Sequence, residues 1–374
     1  MGGEWVLTLA LGESKSSFNM EKAVCNHGFF MMAPNRWSPS AKTLQRPLRL
    51  ADGASSVTVS ISHSPLHSHL LYIRVLLQSP SKGLSLSDSN AILEQVGRML
   101  RITERDERDV REFQKVHPQA KERGFGRVFR SPSLFEDAVK SILLCNCSWA
   151  RTLKMAEALC KLQFEVTENH VHTIRRTTSS TSNKDLKRKR AKSKASTDDD
   201  DSQIVGNFPN AREIASLDNS YFLEKYTPIL GYRAKHILSL AKDFESGKLN
   251  GLEEAEKAAE EVLHHEEMIM IMKNIRGFGP FVCANVLMCI RIYENVPADS
   301  ETIRHLQQVH ARKNCNKKTI QKEVKEIYDK YAPFQCLAYW MELLEYYEDK
   351  FGKLSELPES SYKTISGSRL KFDH

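Results

Sequence analysis

Two glycines one residue apart, closed by a proline, interrupt an apolar helical stretch: Ile275-Arg276-Gly277-Phe278-Gly279-Pro280-Phe281-Val282. An apolar helix over 268–272 enters this segment. A second leaves it, with Val282, Val286, Cys289 and Ile290 on one face. Glycine tolerates positive φ and so permits a very tight turn. Pro280 suits the first position of the exit helix, where its missing N–H costs little. The segment therefore predicts a helical hairpin. Free amides at the start of its second helix are suited to holding a phosphate. A plain αα-turn has the same local pattern, so the residues beyond it carry the decision.

The rest of the chain sets the frame. Its 374 residues suggest two domains. Hydrophobic residues at 41% and charged residues at 27% are globular values, which exclude a wholly disordered or fibrous chain. The net charge of +7 is too mild to identify a nucleic-acid ligand by itself. No apolar run approaches the ~18 residues of a membrane span. The first residues lack a signal-peptide pattern, and Val6 stands where myristoylation wants Ser or Thr. A soluble, intracellular protein is expected. Cys25, Cys145, Cys147, Cys160, Cys283, Cys289, Cys315 and Cys336 form no CxxC pair and no paired Cys/His spacing for zinc. They read as reduced, mostly buried thiols, and no metal ligand set is expected.

Residues 1–80 are β-rich. The stretch 57–62 alternates apolar and polar residues, as a half-buried strand does, and 70–77 reads as another strand. From Ser87 the pattern turns helical, with Asp88 as the N-cap before Ile92, Val96, Leu100 and Ile102. Phe135, Val139, Ile142 and Leu143 share a helix face that Ser131 or Ser133 caps. Residues 167–206 break the pattern and predict a disordered insertion. It holds a Ser/Thr run at 177–182, Lys184 with the basic run 187–194, and four acids at 198–201. The basic run has the composition of a nuclear import signal, or of a merely solvated charge run. Helical stretches follow at 210–217, 219–226 and 232–245, with later ones around Ile320 and Leu337. The expected fold is α+β: a β-rich N-terminal domain (1–118), an all-helical domain (119–352) split by the insertion, and a loose polar tail (353–374).

Val296-Pro297-Ala298-Asp299 lies 20 residues past Gly279. Here the sequence resembles the helix-hairpin-helix DNA glycosylases of the endonuclease III superfamily. The resemblance implies that Gly277 and Gly279 grip DNA backbone and that Asp299 is the catalytic carboxylate. Breaking a base–sugar bond builds positive charge on the sugar, which a fixed carboxylate stabilises, or whose attacking water it orients. Asp299 also suits the N-cap of the helix that follows.

Over 25–350 the chain looks most similar to the 8-oxoguanine glycosylase branch. Gly231-Tyr232-Arg233-Ala234 and Cys145-Asn146-Cys147-Ser148-Trp149-Ala150-Arg151 match two of its segments. The match implies that Tyr232 wedges into the duplex and Asn146 fills the gap left by a flipped base. Arg151 and Arg233 would contact the partner base. Flipping costs a few kcal/mol of unstacking, roughly, so a plug and a wedge are physically apt. Gly28 matches a glycine whose backbone touches the damaged base.

The departures are informative. Phe281 stands where bifunctional members carry a nucleophilic Lys, and Phe forms no Schiff base. Glu301 stands where many members have His, while Arg304 matches an Arg that contacts phosphate. Asn285, Tyr339 and Leu343 replace three base contacts, so a preference for 8-oxoguanine is not implied. A pocket holding Phe281 and Tyr339 suits an electron-poor or alkylated base.

The expectation is a monofunctional, nuclear, monomeric base-excision glycosylase acting on double-stranded DNA with a damaged base. It would need no cofactor beyond a monovalent cation at the hairpin, and no iron–sulfur cluster, since no cysteine follows Cys336. The alternatives are an inactive damage-binding protein of the same fold and a bifunctional glycosylase/lyase using a different amine.

Overall fold

The computed structural model describes residues 4–76, 83–178, 206–257 and 265–369; the basic run 184–194 lies outside them. The N-terminal part is a five-stranded antiparallel sheet: β1 (Glu4–Ala10), β2 (Arg36–Ser38), β3 (Thr43–Arg49), β4 (Ser56–His63) and β5 (Leu70–Leu76), in the order β1-β5-β4-β3-β2. Helix α1 (Met20–Val24) lies between β1 and β2. Trp5 pairs with Val75 and Leu44 with Ile61, so the period-two pattern puts Leu44, Leu48, Val59, Ile61, Leu71, Ile73 and Val75 on the buried face.

Fourteen further helices follow among the described residues: α2 (Leu86–Leu100), α3 (Glu104–Val116), α4 (Pro118–Arg123), α5 (Leu134–Leu144), α6 (Trp149–Thr178), α7 (Ala211–Ala215), α8 (Asn219–Leu230), α9 (Arg233–Glu245), α10 (Asn250–Lys257), α11 (His265–Lys273), α12 (Pro280–Cys289), α13 (Ser300–Val309), α14 (Ile320–Tyr328) and α15 (Gln335–Phe351). The fold is α+β. Buried side chains of the sheet and of the helices form one continuous apolar cluster.

A buried ion cluster fastens sheet to helices. Arg46 on β3 grips Glu136 on α5 through two bonds of 2.9 and 3.1 Å, and Lys140 pairs with the same carboxylate. Burial alone would raise the Glu136 pKa, but Arg46 and Lys140 outweigh it and hold it at about 2. Arg130 donates to the Cys289 carbonyl at the end of α12 and pairs with Glu256. These contacts fix α5 and α12, the two helices that flank the site.

Four expectations change. Ser85 caps α2, and Asp88 is its reciprocal partner three residues on, forming a capping box. The start of the expected disordered insertion, residue 167, falls inside α6, which continues to Thr178, and residues 179–205 lie outside the described residues. No glycine or proline interrupts 149–178, and Gln163 and Thr167 bond one turn apart, so the helix propagates. Only Gly277 of the two hairpin glycines has positive φ, at +94°. The tail, finally, is not loose as far as Arg369. It winds through short 3-10 turns that bury Leu354, Tyr362 and Ile365. Trp37 and Trp149 donate their indole N–H groups to the carbonyls of Ser355 and Tyr362, each at 2.8 Å.

Candidate active site

The hairpin forms as α11, a turn and α12. Exchanging Gly277 for a larger residue is costly, since a Cβ there would stand 2.7 Å from the His236 ring as well as straining the backbone. Gly279 is different. It has ordinary extended φ and ψ, and a Cβ on it would meet nothing within 4 Å. It caps α12 without any side-chain acceptor, which leaves the first-turn amides of that helix without a side-chain partner. Open space and uncapped amides are what a closely approaching phosphate needs.

Asp299 is the N-cap of α13. Its Oδ1 accepts the N–H groups of Glu301 at 2.9 Å and Thr302 at 3.0 Å, which fixes the carboxyl against the helix start. Burial raises its pKa, and the Glu301 charge adds to that. The hydrogen bonds from Thr302 and Glu301 oppose the rise without cancelling it. Thr302 Oγ1 lies 3.3 Å from Asp299 Oδ1 and 2.9 Å from Tyr339 Oη, so α15 supports the carboxyl through one hydroxyl.

Asp299 lines a cavity of about 350 Å³. Gly28, Phe281, Asn285, Tyr339 and Leu343, the five pocket residues named from the sequence, all line it too. Asn285 spends its amide N–H on the Phe281 carbonyl at 2.9 Å. Three features of the wall escape sequence reasoning. His27 is buried and held neutral, its pKa lowered to about 3 chiefly by burial, with Arg101 and Lys140 adding to it. Its Nδ1 accepts the Phe29 N–H at 3.4 Å, which assigns the ring proton to Nε2. Trp149 packs against the space above Gly28, where a Cβ would be 3.1 Å from its ring. Ile365, Ser366 and Gly367 of the tail close one side, and no side chain fits at 367 because Glu301 occupies the space. No motif or period marks His27 or the tail, and Trp149 falls in the matched 145–151 segment without a role assigned to it.

The cavity wall contains Asp299 and Glu301 and, among the described residues, no Lys or Arg. The buried amine nearest in character, Lys140, is committed to Glu136.

The residues expected on the DNA side divide into two sets. Asn146, Arg151 and Tyr232 are exposed. Asn146 takes a left-handed conformation with φ of +45°, which Asn tolerates well. Residues 147–149 beyond it turn back into the cavity wall. The Arg151 guanidinium lies beside Gly231, the residue before Tyr232.

Arg233 is not at the surface. It is 3% exposed and donates to the carbonyls of Ile142, Cys145 and Asn146. Its guanidinium also sits 4.6 Å from the Tyr232 ring centre. Expected at the partner base, Arg233 here takes backbone acceptors, and it holds the Asn146 loop and Tyr232 together. Arg304 is likewise turned inward. It forks onto Glu301, bonds Gln308 and stacks near Tyr346, so its charge is already neutralised within the chain. Tyr347 donates to the same Glu301 at 2.7 Å.

No family model matches the chain, and no curated protein matches it in sequence. Solved structures do match in shape. A 3-methyladenine DNA glycosylase from Archaeoglobus fulgidus aligns with TM-score 0.53 at 15% identity, covering 93% of this chain and 99% of that one. MBOgg1 in complex with a low affinity DNA ligand aligns at 0.55 and 17% identity, covering 94% and 98%. The Clostridium acetobutylicum 8-oxoguanine glycosylase/lyase in its apo-form aligns at 0.54 and 14% identity, covering 92% and 98%. The chain thus shares, over nearly its whole length, the fold of structurally known DNA glycosylases.

Proposed function

We propose that the protein is a monofunctional DNA glycosylase that hydrolyses the N-glycosidic bond of a base flipped into the cavity beside Asp299. The observation that carries this reading is the junction of Asp299, fixed at a helix start, with a base-sized cavity flanked by an uncapped hairpin. As the bond breaks, the ionised Asp299 stabilises positive charge on the sugar and orients water as the nucleophile. The gap in the duplex is filled by Asn146 while Tyr232 wedges the stack, both held by Arg233. With no lysine among the described cavity residues, no Schiff base forms there and no strand cleavage accompanies base release.

The cavity favours a cationic, alkylated base. Two carboxyl groups and the rings of Trp149, Phe281, Tyr339 and Trp340 line it, with His27 neutral and no Lys or Arg among the described residues, which suits an electron-poor ring.

Asp299→Asn tests the reading, because Asn keeps the N-cap. On duplexes each carrying one alkylated, oxidised or deaminated base, wild type should release base and the variant should not, with DNA binding retained by both. Wild-type binding without release from any duplex would instead favour a damage-binding protein, for which the Glu301–Arg304 clamp beside Asp299 is the supporting observation. Borohydride trapping should give no covalent adduct.

A further inference from the structure

We propose that His305, His310 and Glu342, with Tyr328 beside them, form a binding site for a divalent cation of the zinc class. His305 lies on α13, His310 caps the C-terminal end of that helix, Tyr328 ends α14 and Glu342 lies on α15. The His305 and His310 Nε2 atoms stand 3.0 and 2.7 Å from Glu342 Oε2, and the Tyr328 hydroxyl donates to the same oxygen. Tyr328 Oη is also 3.4 Å from His310 Nε2. The donor atoms of His305, His310 and Glu342 all lie within 4.8 Å of one another.

Three groups thus converge on one carboxylate oxygen, which offers only two lone pairs. Such convergence on a point is poor hydrogen-bond economy and good coordination geometry. A cation bound about 2.0–2.2 Å from each donor requires only small outward movements of the side chains. Two imidazoles and a carboxylate select zinc and its transition-metal neighbours over magnesium or calcium, which prefer all-oxygen sets.

The enclosure is one-sided. The His305 side chain is fully buried, while His310 and Glu342 are 22% and 30% exposed, so a cation enters from their side and water or Tyr328 completes the shell. The site ties the far end of α13 to α14 and α15. Asp299 caps the near end of α13, and Tyr339 lies one turn before Glu342 on α15. A cation here acts as a brace behind the cavity, outside its wall.

The test uses the full chain without a histidine tag. After equilibration with Zn2+ and gel filtration, metal analysis should find one zinc per chain. Zn2+ should raise the thermal midpoint and EDTA should reverse the shift. Co2+ in place of zinc should give visible d–d absorption. The partly exposed His310→Ala, expected to fold, should lose the zinc and the thermal response, as should Glu342→Gln. Zinc-free wild type after equilibration, or unchanged zinc content in folded His310→Ala, would overturn the proposal. The readout is independent of base release, so failure of the glycosylase reading leaves it standing, and the reverse holds as well.

Discussion

The Tyr339 hydroxyl stands 2.9 Å from the Thr302 hydroxyl, and this contact, beside the Tyr347–Glu301 bond, joins α15 to the helix start that holds Asp299. Thr302 Oγ1 also accepts the Asp299 N–H at 3.2 Å and faces Asp299 Oδ1 at 3.3 Å. One hydroxyl has a single proton and two lone pairs. With Tyr339 donating to Thr302, the Thr302 proton has two acceptors at 3.3 Å, Asp299 Oδ1 and the Pro297 carbonyl. Tyr339→Phe removes the outermost donor. It should lower unfolding free energy by about 1 kcal/mol, a typical net hydrogen bond. Base release should slow while lesion binding is kept. Urea unfolding and single-turnover kinetics measure the two effects, and unchanged kinetics would exclude a role for the relay.

The two hairpin glycines should separate fold from function. Gly277→Ala forces a Cβ onto His236 at positive φ and should destabilise by about 2 kcal/mol or more, combining overpacking with backbone strain. Gly279→Ala has neither cost, so its thermal midpoint should match wild type. Its duplex affinity should nevertheless fall, because the added methyl stands where a phosphate would approach. Thermal melts and binding titrations at two salt concentrations decide this; full affinity in Gly279→Ala would move the DNA contact elsewhere.

The pH profile should carry the mark of the buried carboxyl. Burial raises the Asp299 pKa above its ordinary value of 3.8, and the Glu301 charge contributes. A carboxylate that works ionised loses rate as pH falls through that raised value, so the acid limb of base release should lie above 3.8. Glu301→Gln removes the repelling charge and should shift the limb to lower pH. Stability runs in the opposite sense. The folded state holds the Asp299 proton to higher pH than the unfolded chain, so this contribution is present at low pH and lost as pH rises through the window. Asp299→Asn cannot ionise, so its stability relative to wild type should improve across the same interval. Single-turnover profiles and urea unfolding at several pH values check both signs.

Arg233 should behave as a positioning residue. Arg233→Ala leaves the Ile142, Cys145 and Asn146 carbonyls without their shared donor, at a cost of about 2 kcal/mol. Faster amide hydrogen exchange over 145–147 should accompany it, together with weaker lesion binding. Arg233→Lys should recover part of the stability. Exchange unchanged from wild type would show that the loop is held by other contacts.

How much of this was legible in the sequence depends on whether a residue acts through its place or through its packing. Gly28, Phe281, Asn285, Tyr339, Leu343 and Asp299 are tied to helix starts, helix faces and turns, and all six line one cavity. Arg233 and Arg304 fall on similar motifs, yet their long side chains turn inward to backbone carbonyls and to Glu301, a choice set by neighbours far away in the chain. His27 and Trp149 enter the wall from separate parts of the fold. The His305, His310 and Glu342 donors come from two helices and a helix cap, so no ligand spacing announces them. The tail offers no helical or strand period, because 3-10 turns of three to six residues have none to show.

That tail supplies the last test. Leu354, Tyr362 and Ile365 fill apolar space, while the Trp37 and Trp149 indoles donate to its carbonyls. Gly367 lies so close to Glu301 that a Cβ there would fall 1.6 Å from the carboxylate. Ending the chain at Gly352 removes the wall formed by Leu354 and 365–367 and orphans both indole N–H groups. Losing two indole hydrogen bonds at about 1 kcal/mol each, together with the apolar burial of Leu354, Tyr362 and Ile365, should make the truncated chain melt at least several degrees lower. Trp149, released from Tyr362, should no longer be held against Gly28, and water should enter beside Asp299. A wider, wetter cavity discriminates less between bases, since selectivity rests on close fit and on excluded water. The ratio of release rates for an alkylated base over its unmodified parent should therefore fall in the truncated protein. Replacing Gly367 with Ala in the full chain should act in the same direction by pushing the strap off Glu301. Equal selectivity in all three proteins would show that the tail supports the fold without shaping the pocket.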